Sequence, residues 1–230
     1  MAVTVEVAPL LEGARELYAL PRGRERFDAY IRLGTGGTSE MQLPIPVMNP
    51  MGKEHVLAYV EQLLALDAET IAASAAREAA ERLEGDDRLR LAVVVADDRK
   101  GGWTNRYFTE FAHRYERKYE VQRGWATAIL WTSETPDTRL VRARTLEGIY
   151  RTVDERRNGP VRTLRAILDR EIRTQRFAGT PCPYEDAAYR AKVEPYLDAD
   201  GAPIVMAALY GDEVAASLGY PPLGIELVTA

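Results

Sequence analysis

Continuous apolar runs alternate along the chain with stretches in which apolar residues recur at helical spacing. LRLAVVVA (Leu89 to Ala96) and GWATAILWTS (124–133) are the clearest apolar runs. Such runs are typical of strands that are covered on both faces. PIVMAALYG (203–211) predicts a further strand, and LGIELVTA (223–230) predicts a last strand or a tail.

A long stretch of helical spacing precedes the first of these runs. Residues 48–87 predict one long helix, or two helices that divide near Asp67. The sequence places Asn49 as the N-cap and Pro50 as the first helical residue. Gly85 is expected at the C-terminal end of the same stretch.

Shorter helical stretches follow the first three apolar runs. Residues 105–120 predict a helix capped by Thr104, and DEVAASLG (212–219) predicts a short one. Residues 145–157 and 159–179 predict two more helices, which a Gly-Pro pair separates.

Strands that alternate with long helices favour right-handed βαβ crossovers. We therefore expect an α/β fold with a mostly parallel or mixed sheet flanked by helices, in a single domain over 1–230. Residues 1–48 are less regular and form either part of this domain or a peripheral N-terminal segment. Within them, RFDAYIRLG (26–34) fits a strand or a helix, and MQLPIPV (41–47) fits an edge strand, where prolines are tolerated.

The composition is that of an ordinary globular protein, with 46% hydrophobic residues, 28% charged residues and a net charge of -5. No apolar stretch has the roughly 18–20 residues of a membrane span, and the N-terminus lacks a basic and apolar leader. Cys182 is the only cysteine, which excludes an intramolecular disulfide. These features predict a cytoplasmic protein that does not bind a membrane.

Polar residues follow the apolar run Leu89 to Ala96 directly, in the stretch ADDRKGGWTN. Ligands of open α/β sheets bind beyond the carboxyl ends of the strands, so Asp97 and Asp98 are candidates for an acid, a base or a metal ligand. The alternative is a plain strand-to-helix turn, in which the two acids begin the turn and Thr104 caps the helix.

The rest of this stretch supplies groups that could hold a substrate. Trp103 offers a flat apolar surface, while Asn105 and Arg106 open a helix whose free N–H groups favour an anion. The sequence therefore predicts binding of a small polar or anionic substrate at this loop.

The chain has two histidines, His55 and His113. His113 is a candidate second proton carrier, oriented by Glu110 or Glu116; the alternative is a partly buried histidine among aromatic residues. His55 lies at a predicted helix start, where the neutral imidazole is favoured, so it either joins the site from there or is an ordinary helix-start residue.

Other motifs exclude several kinds of site. Two histidines and one cysteine cannot form a Cys/His structural zinc site. A Mg²⁺ or Mn²⁺ site made of carboxylates is the alternative, but the sequence has no EF-hand loop, so no residues are assigned to a metal site. GTGGTSE (34–40) is neither a P-loop nor a dinucleotide-binding fingerprint, and no particular cofactor is indicated. Cys182, between two prolines, has no neighbouring base that would activate its thiol.

Arginine is concentrated in residues 139–177, where eleven arginines accompany five acids. Helical spacing places four of them on one face, at positions 162, 165, 173 and 176. This face predicts either a solvated surface or a docking site for an acidic or anionic partner, including a second copy of the chain. Nucleic acid is not expected, because the chain is acidic overall and has no recognised nucleic-acid motif.

The leading hypothesis is an enzyme that acts on a small polar or anionic substrate at a strand-end loop. Its catalytic candidates are Asp97, Asp98 and His113, and its substrate-binding candidates are Trp103, Asn105, Arg106 and His55. The alternative is a non-catalytic interaction or assembly protein that binds an acidic or anionic partner through its arginine-rich helix.

Overall fold

The computed structural model describes residues 2–99, 105–116 and 118–227. Within these ranges, three strands form one sheet in the order β1 (Thr4–Ala8), β2 (Arg88–Ala96), β3 (Trp125–Trp131). Both strand pairs are parallel. The predicted α/β fold is therefore confirmed, and the sheet is parallel throughout.

Helices flank this sheet and continue beyond it toward the C-terminus. They are α1 (Leu11–Ala19), α2 (Arg24–Thr35), α3 (Glu54–Ala65), α4 (Ala68–Arg82), α5 (Arg106–Tyr115), α6 (Lys118–Gln122), α7 (Thr138–Asn158), α8 (Leu164–Ala178), α9 (Ala187–Val193), α10 (Ala202–Tyr210) and α11 (Asp212–Ser217). Short 3₁₀ turns at Pro183–Glu185 and Glu194–Tyr196 flank α9.

The two best apolar runs form β2 and β3, as predicted. Every residue of β3 is buried, and so are all residues from Leu91 to Ala96 in β2. The register pairs Ala96 with Trp131, so both strands end at the same level of the sheet. The residues after Ala96 and after Trp131 therefore meet at one edge.

The prediction of a strand at PIVMAALYG was wrong, because this run forms α10. Val205 to Tyr210 are all buried, so the helix is apolar on every side and its sequence carries no helical period. Pro203 lies in its first turn, where a missing N–H costs nothing. The final segment forms no strand as far as Leu227, and residues 228–230 lie outside the described ranges.

The long helical stretch divides into α3 and α4 at Asp67, which has a left-handed backbone with φ 57°. The expected start was wrong: α3 begins at Glu54, and the Asn49 side chain instead accepts a hydrogen bond from the Met51 N–H at 2.9 Å. The stretch ends at Arg82, before Gly85.

The N-terminal residues contribute to the sheet and to its core. β1 forms one edge of the sheet, RFDAYIRLG lies within α2, and MQLPIPV forms no strand. Leu11, Tyr30 and Ile45 belong to the same apolar cluster as the strands.

Two apolar clusters occupy the interior. The first packs α1, α3, α4 and α7 around the sheet. The second joins side chains of α8 to α11, and the aromatic face of α5 (Tyr107, Phe111, Tyr115) packs against it. The polar face of α5 is therefore directed away from the second cluster.

Helix α7 packs directly on the backbone of β3 at Gly148, where a Cβ atom would overlap the carbonyl oxygen of Thr127. We expect Gly148→Ala to lower the free energy of unfolding by about 3 kcal/mol, since neither backbone can yield without moving its element. Urea unfolding measures this change. Gly201→Ala is the control, because its nearest atom would be the Pro203 Cδ at 3.9 Å; equal losses in the two variants would refute the close packing.

Candidate functional site

Asp97 and His55 meet at the carboxyl end of β2. His55 Nε2 lies 2.7 Å from Asp97 Oδ1, and the Asp97 side chain is only 2% exposed. The Thr132 hydroxyl donates to the same carboxylate oxygen at 3.0 Å, and the backbone N–H of Arg99 does so at 3.3 Å. The carboxylate is therefore fixed in position, and the imidazole is aligned by it.

The first turn of α3 carries His55 to this edge. His55 is the second residue of the helix, and its side chain is 21% exposed. The sequence named Asp97 and His55 separately, and the structure brings them into one hydrogen-bonded pair. Aspartate–histidine pairs of this kind hold the imidazole in one tautomer.

Asp98 binds the end of β3 instead. Its two carboxylate oxygens accept hydrogen bonds from the Ser133 N–H at 2.9 Å and from the Ser133 hydroxyl at 2.6 Å. The Thr132 hydroxyl lies 3.3 Å from Oδ1, and Arg106 Nη1 lies 3.4 Å from Oδ2. Asp98 thus ties the two strand ends to the start of α5.

Arg106 is shared between three carboxylates. Besides Asp98, its guanidinium binds Glu110 Oε1 at 3.1 Å and Glu134 Oε1 at 2.7 Å. An anionic substrate at Arg106 would have to compete with these carboxylates. The geometry therefore gives Arg106 a positioning role at the site.

Arg106 also belongs to a closed circuit of ion pairs, here called the Arg–Glu ring. Four arginines and four glutamates alternate around it, each within 3.5 Å of both neighbours. In order they are Arg106, Glu110, Arg114, Glu171, Arg151, Glu147, Arg144 and Glu134. The ring joins α5, α7 and α8 to the loop after β3, and its formal charge is zero.

Glu171 is the most deeply placed member of the ring, with a fully buried side chain. Burial acts to raise the pKa of Glu171, but the guanidinium groups of Arg151 and Arg114 outweigh it and hold the pKa at about 2. The carboxylate is therefore ionised throughout the physiological range.

A small cavity of about 30 Å³ lies beside the ring, with room for about two water molecules. Ring members line it together with Thr127 and Trp131. The structure places His113 here, with its Nε2 hydrogen-bonded to the Thr127 hydroxyl. His113 thus faces a polar cavity that it shares with the ring.

No protein-family model, curated protein or solved structure matches the chain. Among the described residues, no group of three His, Cys, Asp or Glu side chains could hold a metal ion. No helix in the same ranges is long and apolar enough to cross a membrane.

Asn105 and Trp103 are the other two residues that the sequence predicts to bind substrate. Asn105 is the N-cap of α5, where its side chain accepts from the Phe108 N–H at 3.1 Å. The expectation that Thr104 caps this helix was therefore wrong. Trp103 and Thr104 themselves lie outside the described residues.

Sequence reasoning missed Thr132 and Ser133. The predicted apolar run 124–133 counts both residues as part of the strand, whereas β3 ends at Trp131, so both lie beyond its carboxyl end.

Three of the four arginines of the predicted face lie in α8 and have carboxylate partners within the chain, while Arg162 precedes the helix. Arg165 binds Asp198 at 3.3 Å, Arg173 binds Asp154 at 3.4 Å, and Arg176 pairs with Glu185. An acidic partner docking on this face would have to displace these carboxylates.

Proposed function

We propose that the protein is an enzyme that moves a proton to or from a small polar substrate at the carboxyl ends of β2 and β3, with His55 as the general base. The observation that carries this proposal is the 2.7 Å hydrogen bond between His55 Nε2 and the buried Asp97 carboxylate. A partly exposed imidazole aligned by a buried carboxylate is a common arrangement for general acid–base catalysis.

The hydrogen bond determines which nitrogen of His55 acts as the base. An ionised Asp97 can only accept, so Nε2 carries the proton and donates it to the carboxylate. Nδ1 then keeps its lone pair and is the atom that takes a proton from the substrate. Asp97 stabilises the imidazolium that results, because an opposite charge lies in direct contact with it.

The surroundings favour a polar substrate over a strongly anionic one. Asp98 and the Ser133 hydroxyl lie at the same strand ends, and Arg106 is occupied by carboxylates. We expect the reaction to take place in the cytoplasm. A chain with a single cysteine cannot form the intramolecular disulfides that are typical of proteins in oxidising compartments.

Exposure of the purified protein to a cellular metabolite extract, followed by mass spectrometry, tests this proposal. We expect the wild type to consume at least one small polar compound and His55→Gln to consume it at least a hundredfold more slowly, since general-base catalysis contributes about 10²–10⁴-fold.

Glu54→Gln is the matched control, because Glu54 precedes His55 in the same helical turn and its side chain is 86% exposed. It should consume the compound at the wild-type rate. Equal consumption by His55→Gln and wild type, or no consumption by wild type of any compound, would refute the proposal.

A further inference from the structure

An open cavity of about 420 Å³ lies at the amino ends of the three strands. Residues 4–6 of β1, residues 88–90 of β2 and residues 123–124 before β3 line it. Its volume is within the range of about 300–1,000 Å³ that small-molecule sites occupy. Arg90 lies six residues before Ala96, the last residue of β2, which is about 20 Å along the strand. The cavity is therefore separate from the proposed active site.

The start of β2 presents two arginines on one face of the sheet. Successive side chains of a strand point to opposite faces, so Arg88 and Arg90 share a face, while Leu89 between them is buried on the other. Both arginines are exposed to solvent. The register places Arg90 beside Glu6 of β1 and beside Trp125 of β3. This part of the face is therefore open to a ligand.

Arg90 is held in place by Trp125. Its guanidinium carbon lies 4.3 Å from the centre of the indole ring, which is a cation–π contact. The ring itself is fixed, because Trp125 is only 2% exposed and its Nε1–H donates to the Gln42 carbonyl at 3.0 Å. A guanidinium that is already stacked on a ring loses less freedom when its N–H groups bind an anion.

Positive charge dominates the cavity. Three arginines line it, namely Arg88, Arg90 and Arg123. Of the described residues that line it, Glu6 alone is acidic, so the lining has a formal charge of +2 in a chain whose net charge is -5. Arg123 already binds Glu40 at 2.7 Å. Within the described part of the chain, neither Arg88 nor Arg90 forms an ion pair, so both are available to a ligand.

Two guanidinium groups side by side favour an anion that has two charges and several oxygen atoms. A phosphate monoester has a charge of about -1.5 to -2 at pH 7 and offers three acceptor oxygens. Arginine binds such a group through parallel N–H···O bonds. A carboxylate has one charge and therefore gains less from the second arginine.

We propose that this cavity binds a small phosphate ester, with Arg88 and Arg90 as the ligands of its phosphate group. Trp125 orients Arg90, and Arg88 supplies the second guanidinium. The rest of the cavity accommodates the organic part of the ester. This binding does not depend on catalysis by His55, because the cavity lies at the opposite end of the sheet.

Calorimetric titration of the full chain with glycerol 3-phosphate tests the proposal. We expect saturable binding that weakens about tenfold or more in Arg88→Gln and in Arg90→Gln, the effect of losing a hydrogen bond to a charged group. Arg77→Gln is the matched control, because Arg77 is an exposed arginine of α4 that does not line the cavity. It should bind as the wild type does. An equal loss in all three variants, or no binding by the wild type, would overturn the proposal.

Glycerate and the variant Glu6→Gln change the charge of the ligand and of the cavity. Glycerate has the same three-carbon chain with a carboxylate, and it should bind about tenfold more weakly than glycerol 3-phosphate. Glu6→Gln should bind glycerol 3-phosphate about threefold more tightly than the wild type, because a like charge beside the phosphate is removed. A loss of folding cannot produce such a gain. Equal binding of glycerate, or equal or weaker binding by Glu6→Gln, would contradict the proposal.

The indole signals of two tryptophans locate the bound ligand. The ¹H–¹⁵N signal of the Trp125 indole, on which Arg90 lies, should shift with glycerol 3-phosphate. The signal of Trp131, at the carboxyl end of β3, should stay in place. A shift of Trp131 without a shift of Trp125 would put the ligand at the other end of the sheet and overturn the proposal.

Discussion

Replacement of Glu171 by glutamine is expected to lower the free energy of unfolding by about 3–5 kcal/mol. The Glu171 side chain is fully buried between Arg151, at 2.7 Å, and Arg114, at 3.4 Å. The variant keeps the shape of the side chain but leaves two buried guanidinium groups without their shared negative charge. Breaking a buried ion pair on one side is costly for this reason.

Urea unfolding at neutral pH measures the effect. Asp169→Asn is the matched control, because Asp169 precedes Glu171 by two residues on α8 and is exposed to solvent. It should change the stability by less than about 0.5 kcal/mol. A similarly small change in Glu171→Gln would show that the Arg–Glu ring does not hold the helices together.

The pH dependence of the free energy of unfolding should also differ between Glu171→Gln and Asp169→Asn. The pKa of Glu171 is about 2 in the folded protein, below its ordinary value of 4.5. The stabilisation it provides is therefore complete above about pH 4.5 and is lost as the pH falls toward 2. Glu171→Gln should lack this part of the acid destabilisation, whereas Asp169→Asn should retain it.

Asp97→Asn is expected to lower the rate of the proposed reaction by about 10²–10⁴-fold. Asparagine has the same shape, but it lacks the charge that holds the proton on Nε2 of His55 and stabilises the imidazolium. The rate is measured on the compound that the wild type consumes from the metabolite extract. Asp86→Asn, at an exposed position just before β2, is the control. A rate in Asp97→Asn within twofold of the wild type would exclude the pair as the catalytic unit.

The parallel sheet could be predicted from the sequence, since β2 and β3 are continuous apolar runs between helical stretches. β1 could not, because its five residues TVEVA include a glutamate and lie at the edge of the sheet. A helix that is buried on all sides shows the same unbroken hydrophobicity as a buried strand, so the sequence predicts a strand where α10 forms.

The strand-end position of Asp97 and the helix-start position of His55 could also be read from the sequence. Their contact spans 42 residues of the chain, and no local pattern encodes it. The Arg–Glu ring is less visible still, because Arg114 and Glu171 are 57 residues apart and each looks like a surface residue of its own helix.

The protonation of the His55 ring tests the central claim most directly. The chain has two histidines, so the long-range ¹H–¹⁵N spectrum of the imidazoles contains two sets of signals, and His113→Gln identifies that of His55. The account predicts that neutral His55 carries its proton on Nε2 and a lone pair on Nδ1, and that Asp97→Ala removes this preference. A proton on Nδ1 in the wild type, or the same spectrum in Asp97→Ala, would contradict it.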